Sequence, residues 1–227
     1  MLVDPSHKDL YLSVANEQSA FLQILTAEYS ALKAESTARI GHRDTLLYTT
    51  LGAVGAVFAF VTVNKDSRIA LLVVPWVTFI LGWQYLVNDH LVSRLGKYVR
   101  VELTRQVYNS FAFYRKKYGD GYLREAFRWE PFHRSDQLRI ERKWIQLVVD
   151  WATFVAPTFV AIGAYLYPGF PGLGGRELSI WVLIVASISA AGFLAYQIWI
   201  YADTYSSEVQ RLADLAQLWT EDEGVTP

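Results

Sequence analysis

Asp150 is the residue of this chain whose chemistry is hardest to treat as ordinary. It stands in an apolar run, 144–167, six positions after Trp144, which is about 9 Å along a helix. A carboxylate inside a bilayer is costly and, where one is kept, it marks an ion path or a proton relay. A structural reading stands beside that one. If the hydrocarbon core begins at Trp151, Asp150 lies at the interface between two anchoring tryptophans, Trp144 and Trp151, and only the 17 residues 151–167 remain to cross. Gln84, Asn88, Asp89 and His90 gather at the end of a second apolar run, and Gln197 lies near the same depth on the fourth. With Asp150 they form a candidate pore lining or inner vestibule, provided that they share a face. The alternative is a set of ordinary helix ends in contact with water.

A second chemical signal lies between 111 and 144, where Phe, Tyr and Trp interleave with Arg115, Lys116, Lys117, Arg124 and Arg128 around Trp129. Aromatic rings stack on bases while cations hold phosphates, so the composition suits a nucleotide or a single strand. It suits anionic lipid headgroups as well, where each basic side chain contributes about 1 kcal/mol. Headgroup contact and packing against acidic helices are the favoured readings, and nothing points to duplex nucleic acid. His42-Arg43-Asp44 resembles a kinase triplet but precedes an apolar run and has no glycine-rich partner motif. The four histidines have no metal-ligand spacing and there is no cysteine. No metal, no cofactor and no catalytic constellation are expected, so the chain does not read as an enzyme.

The elements that must hold these residues are four apolar runs, 46–63, 69–87, 144–167 and 178–202. A bilayer core takes roughly 20 helical residues, so each reads as a transmembrane helix. Three of the four contain no Asp, Glu, Lys, Arg or His. Charge then sets orientation. Residues 88–143 carry thirteen basic and seven acidic side chains, 1–44 four and six, and 201–227 one and six. The short turns 64–68 and 168–177 share three basic residues. Because Lys and Arg accumulate on the cytoplasmic side, the basic centre and both termini are expected there, in the cell inner (plasma) membrane. No signal peptide is apparent in the first 40 residues.

Asp4-Pro5-Ser6 reads as a helix start, and Tyr11, Ala15, Gln18, Leu22, Leu25, Tyr29 and Leu32 recur at spacings of four and three, a partial heptad stripe. The second run continues as a helix well beyond 87, and Pro75 predicts a kink within it. Gly52 with Ala56, and Gly55 with Ala59, form small-residue pairs that permit close helix approach, as do Ser187, Ala191 and Ala195 on the fourth run. The acidic tail after 219 reads as disordered. The fold class is therefore all-α: a polytopic membrane protein with four transmembrane helices and a cytosolic helical bundle. Its parts are an N-terminal helix (1–44), a hairpin of spans (45–87), a basic helical segment (88–143), a second hairpin (144–202) and a C-terminal helix with its tail (203–227).

The passage Glu28-Tyr29-Ser30-Ala31-Leu32-Lys33-Ala34-Glu35, followed by Arg39 and Arg43-Asp44-Thr45-Leu46-Leu47-Tyr48, resembles the approach to the first span in four-span integral membrane proteins of actinobacteria. At the level of architecture, from about Asp9 to Phe111, the chain is also similar to SLATT-type membrane effectors of nucleotide-signalling defence systems, departing from them in having four spans. That resemblance implies an oligomeric pore held shut until a cytosolic signal arrives. The expected function is a homo-oligomeric channel or membrane-permeabilising effector gated through its cytosolic helices. The alternative is a membrane-anchored scaffold that recruits a cytosolic partner. Its expected partners are the lipid bilayer, further copies of itself, and a nucleotide or protein regulator in the cytosol.

Overall fold

The computed structural model describes residues 5–110, 139–167 and 175–222, and among them every element is helical. The basic stretch with Arg115, Lys116, Lys117, Arg124, Arg128 and Trp129 lies outside the described residues, as do 168–174 and 223–227. Helix α1 spans Pro5–Val63, a 3₁₀ segment Lys65–Val73, α2 Val74–Tyr98, a π turn Val99–Leu103 and α3 Thr104–Ser110. After the gap come α4 (Arg139–Phe154), α5 (Ala156–Leu166) and α6 (Gly175–Asp222). Four helical stretches are long and apolar enough to cross a membrane. The residues divide into two compact units, Met1–His42 with Asp89–Gln137 and Arg43–Asn88 with Leu138–Pro227.

In the second unit, α1 turns Leu46, Thr50, Val54, Val57, Phe58 and Val61 inward. Their spacing of three and four is one face of an α-helix. Asn64 ends that helix. Its backbone leaves the helical region at φ −111°, ψ 78°, while both its N–H and its side-chain amide donate to the Phe60 carbonyl at 2.9 and 3.1 Å. The chain then winds as a 3₁₀ helix up to Pro75. The reason is local: Pro75 has no N–H to give the Leu71 carbonyl, and the Val74 N–H serves it instead, one residue earlier. The expected kink is thus a change of winding, with Pro75 seated in the first turn of α2, where a proline is well tolerated.

The third apolar run is interrupted in the same manner. Pro157 has no N–H for the Thr153 carbonyl, α4 stops at Phe154, and Val155 leaves regular geometry at φ −107°, ψ −51° before α5 begins. Val155 accepts from the Thr158 N–H at 3.2 Å, a tightened turn that carries the chain across the break. Helix α6 packs against α4, α5 and the 3₁₀ segment. The centre of the unit is Tyr85, Leu86, Phe154, Leu194 and Ile198, joined by Leu46. Many large apolar side chains face outward, among them Leu51, Phe60, Ile80, Phe159, Val182, Val185 and Trp199. Water would penalise such a surface, whereas lipid tails match it.

In the first unit Leu25, Val99 and Leu103 form a small core with Tyr29, Leu32 and Val107 against it. Leu25, Tyr29 and Leu32 belong to the heptad stripe. At one end of this seam Gln18 Nε2 donates to the Ser110 carbonyl at 3.0 Å, and at the other Tyr98 Oη donates to Glu28 at 2.6 Å. The π turn, which the sequence does not announce, is stabilised by Thr104, whose hydroxyl and N–H both donate to the Val99 carbonyl.

Candidate functional site

The polar groups of the second unit follow one face of α2. Thr78, Gly82, Tyr85 and Asn88 succeed one another at spacings of four and three, and all four are buried, so they lie on one side of the helix. Each meets a different kind of neighbour.

Thr78, 0% exposed, approaches Thr158 of α5, 1% exposed, with their hydroxyl oxygens 3.1 Å apart. Thr78 also donates to the Pro75 carbonyl at 3.0 Å, so it gives its proton there or to Thr158, while Thr158 can give its own to Thr78. The pair joins the two proline-modified stretches: Thr78 is three residues past Pro75 and Thr158 is the residue after Pro157. Hydroxyls at such breaks help satisfy a backbone that proline has disturbed.

One turn on, Gly82 is the point of closest approach. A methyl group there would meet Leu194 at 2.8 Å and Phe154 at 3.1 and 3.2 Å. The next residue on the face, Tyr85, lays its ring 4.9 Å from that of Phe154.

At Tyr85 the line becomes chemical. Gln146 of α4 donates from Nε2 to the Tyr85 hydroxyl at 2.7 Å and to Asp150 Oδ1 at 2.9 Å. Asp150 is 8% exposed. Gln146 precedes it by one helical turn and stays exposed, so it closes one side of the carboxylate. An amide nitrogen carries two hydrogens, and both are used here. The hydroxyl of Tyr85 accepts in this bond. A buried carboxylate that receives donors from a neighbouring side chain offsets part of the cost of leaving water.

The sequence-based candidates divide on this geometry. Asp150 and Asn88 are buried in the second unit, and Gln197 is half-buried. Gln84 points away from the face that carries Tyr85 and Asn88 and is exposed. Asp89 and His90 are half-buried and belong to the first unit. Among the small residues, Ser187 and Ala191 are buried and Ala195 is half-buried. Gly52, Gly55, Ala56 and Ala59 are exposed, and the space around Gly52 and Gly55 is open.

Sequence reasoning did not single out Tyr85, Gln146, Thr78, Thr158, Gly82 or Pro157. Pro157 carried the clearest signal, a proline in the middle of an apolar run. Gln146 could have been found as the polar residue one turn before Asp150. Among the described residues, no group of three or more His, Asp or Glu is placed to hold a metal ion.

Outside the apolar run 69–87, two groups among the described residues of the first unit are perturbed. The bond from Tyr98 to the Glu28 carboxylate holds the phenol above its ordinary value of 10.0, with lesser contributions from burial and from the charges of Glu28 and Glu102. The Arg105 guanidinium, 2.8 Å away, and then Gln106 hold the Glu102 carboxyl below its ordinary 4.5. No family model, curated protein or solved structure matches the chain.

Proposed function

We propose that this chain is a multi-pass membrane protein whose copies assemble into a channel or membrane-permeabilising effector controlled through its cytosolic helices. The observation that carries this reading is Asp150, buried within a four-helix unit and engaged by Gln146, in a stretch long and apolar enough to cross a membrane. An anchor has no need of a buried carboxylate between its spans, whereas a conducting or proton-relaying protein does. The broken third run supports the same reading, since irregular backbone at membrane depth is found where it is covered by protein or lines a path. Both termini and the basic segment face the cytoplasm in this proposal, following the charge distribution. The open face of Gly52, Gly55, Ala56 and Ala59 is a surface on which a second copy could approach closely.

A membrane-anchored scaffold is the second reading, and one observation favours it. Leu194 and Phe154 close on Gly82 within van der Waals distance, leaving the middle of the single bundle tightly packed. In the channel reading, conduction therefore runs between copies or requires those side chains to move.

The test is ion release from liposomes loaded with salt, with and without cyclic nucleotides or oligonucleotides, together with the mass of the detergent-solubilised assembly. A defined oligomer that releases ions supports the proposal. A monomer or dimer in tight vesicles under every condition supports the scaffold.

A further inference from the structure

Tryptophan joins a large apolar ring to a single N–H donor, and in membrane proteins it gathers where hydrocarbon meets headgroups. Two tryptophans of the second unit, Trp144 on α4 and Trp199 on α6, are 56% and 52% exposed, and their rings meet edge to face with centroids 6.3 Å apart. Each stands at a change of polarity along its own helix. On α4 the exposed Glu141 and Arg142 come before Trp144, and the exposed Ile145, Val148 and Val149 come after it. On α6 the order is reversed. The exposed Val182, Val185, Ile188 and Phe193 come before Trp199, and Asp203 is the first charged residue after it. Two polarity boundaries that run in opposite chain directions therefore coincide where the two rings touch.

We infer that the contact of Trp144 with Trp199 is a lipid-headgroup surface that fixes one boundary of the bilayer, so that the third span begins at Trp144 and not at Trp151. Span lengths separate the two positions. At about 1.5 Å per residue, Trp144 to Tyr167 measures about 34 Å, Glu177 to Trp199 about 33 Å and Asp44 to Asn64 about 30 Å. All three match a hydrocarbon core of ~30 Å. Entry at Trp151 leaves the third span only about 24 Å, some turns shorter than α6 beside it. It also leaves Ile145, Val148 and Val149 facing water, where an apolar patch is costly. With the boundary at Trp144, these three side chains and the exposed ring of Trp151 all face lipid tails.

The placement has a consequence for the candidate site. Gln146 lies about 3 Å inside the boundary and Asp150 about 9 Å inside, so the carboxylate stands at hydrocarbon depth and is covered by protein there. This assignment rests on the membrane reading of the chain and deepens it, by naming the lipid layer that α4 and α6 meet. It holds for a channel and for a scaffold alike, and it is read without any ion flux.

The chain has no cysteine of its own, so single thiols can report the boundary. Glu141→Cys, Val148→Cys and Val185→Cys all fall at exposed positions, where folding is least at risk. Each full-length variant, in liposomes, meets a charged maleimide present on both sides of the vesicle wall, and thermal unfolding confirms that it keeps the wild-type fold. The thiolate is the reacting species and hydrocarbon suppresses it, so Val148→Cys should react at least about tenfold more slowly than Glu141→Cys, and as slowly as Val185→Cys. If Val148→Cys reacts as fast as Glu141→Cys while Val185→Cys stays slow, the boundary lies at Trp151 and the inference is overturned, with the membrane reading intact. If Glu141→Cys is as slow as Val185→Cys, the boundary lies outside Trp144 and the inference is overturned again. Fast reaction at all three positions would remove the membrane reading itself.

Discussion

The first and second apolar runs carry the same sequence signal and use it in opposite ways. Both hold small residues among large apolar ones. On α1, Gly52, Gly55, Ala56 and Ala59 face outward, and only 11% of that run's apolar window is buried. On α2, Gly82 is pressed between Leu194 and Phe154, and 44% of the window is buried. A small residue permits close approach but does not supply the neighbour. What brings the neighbour to α2 is the line of Thr78, Gly82 and Tyr85 facing α4, α5 and α6. The face that α1 turns inward is built from larger side chains: Leu46, Val54, Val57, Phe58 and Val61.

The strongest way to break this comparison is to enlarge both glycines. Gly82→Leu should destabilise the fold by about 3 kcal/mol, since Phe154 Cβ at 3.2 Å belongs to a backbone-fixed part of its side chain and cannot swing aside. Thermal unfolding in detergent measures it. Gly52→Leu should change the same transition by less than about 0.5 kcal/mol, while weakening assembly in cross-linking if that face is where copies meet. Equal loss of stability at both positions would erase the distinction.

The Thr pair sharpens the contrast with a smaller effect. Thr78→Val and Thr158→Val should each cost about 1 kcal/mol, and the double variant should cost less than the sum by about 0.6 kcal/mol, the usual coupling of hydroxyls between membrane helices. Exact additivity in a double-mutant cycle would mean that the 3.1 Å approach contributes nothing.

Much of the architecture was legible because hydropathy at this length is a strong signal. The four apolar runs, the turn at Asn64 and the stripe of Leu25, Tyr29 and Leu32 were all readable from spacing. Rotation was not. Gln84 and Tyr85 are adjacent in sequence, yet one is exposed and the other buried, and an almost wholly apolar run gives little periodic contrast to say which side turns inward. The π turn at Val99–Leu103 was invisible for another reason. It depends on one hydroxyl, that of Thr104, reaching a carbonyl five residues back, and threonine in a helix is ordinary. At the candidate site the charge of Asp150 was legible and the neutral groups that engage it were not, because Gln146 and Tyr85 acquire meaning only once α2 and α4 are side by side.

The smallest expected effect lies in the first unit. The phenol of Tyr98 is held above 10.0 by Glu28, so its contribution to stability is present below that value and fades as pH rises through the raised one. Tyr98→Phe should remove one alkaline-shifted phenol transition seen by ultraviolet absorbance and leave neutral-pH stability almost unchanged, since the pair is exposed. A full set of phenol transitions in the variant would show that Tyr98 was not the perturbed group.

The central claim is that Asp150 is a working group of a membrane pathway. It is tested most directly by comparing ion flux through liposomes holding equal amounts of correctly inserted wild-type and Asp150→Ala protein, across the same nucleotide conditions. The account predicts flux in the wild type, constitutive or ligand-dependent, that falls at least tenfold in the variant, a loss of about 1.4 kcal/mol or more in the conducting state. Flux identical in the two proteins would contradict it.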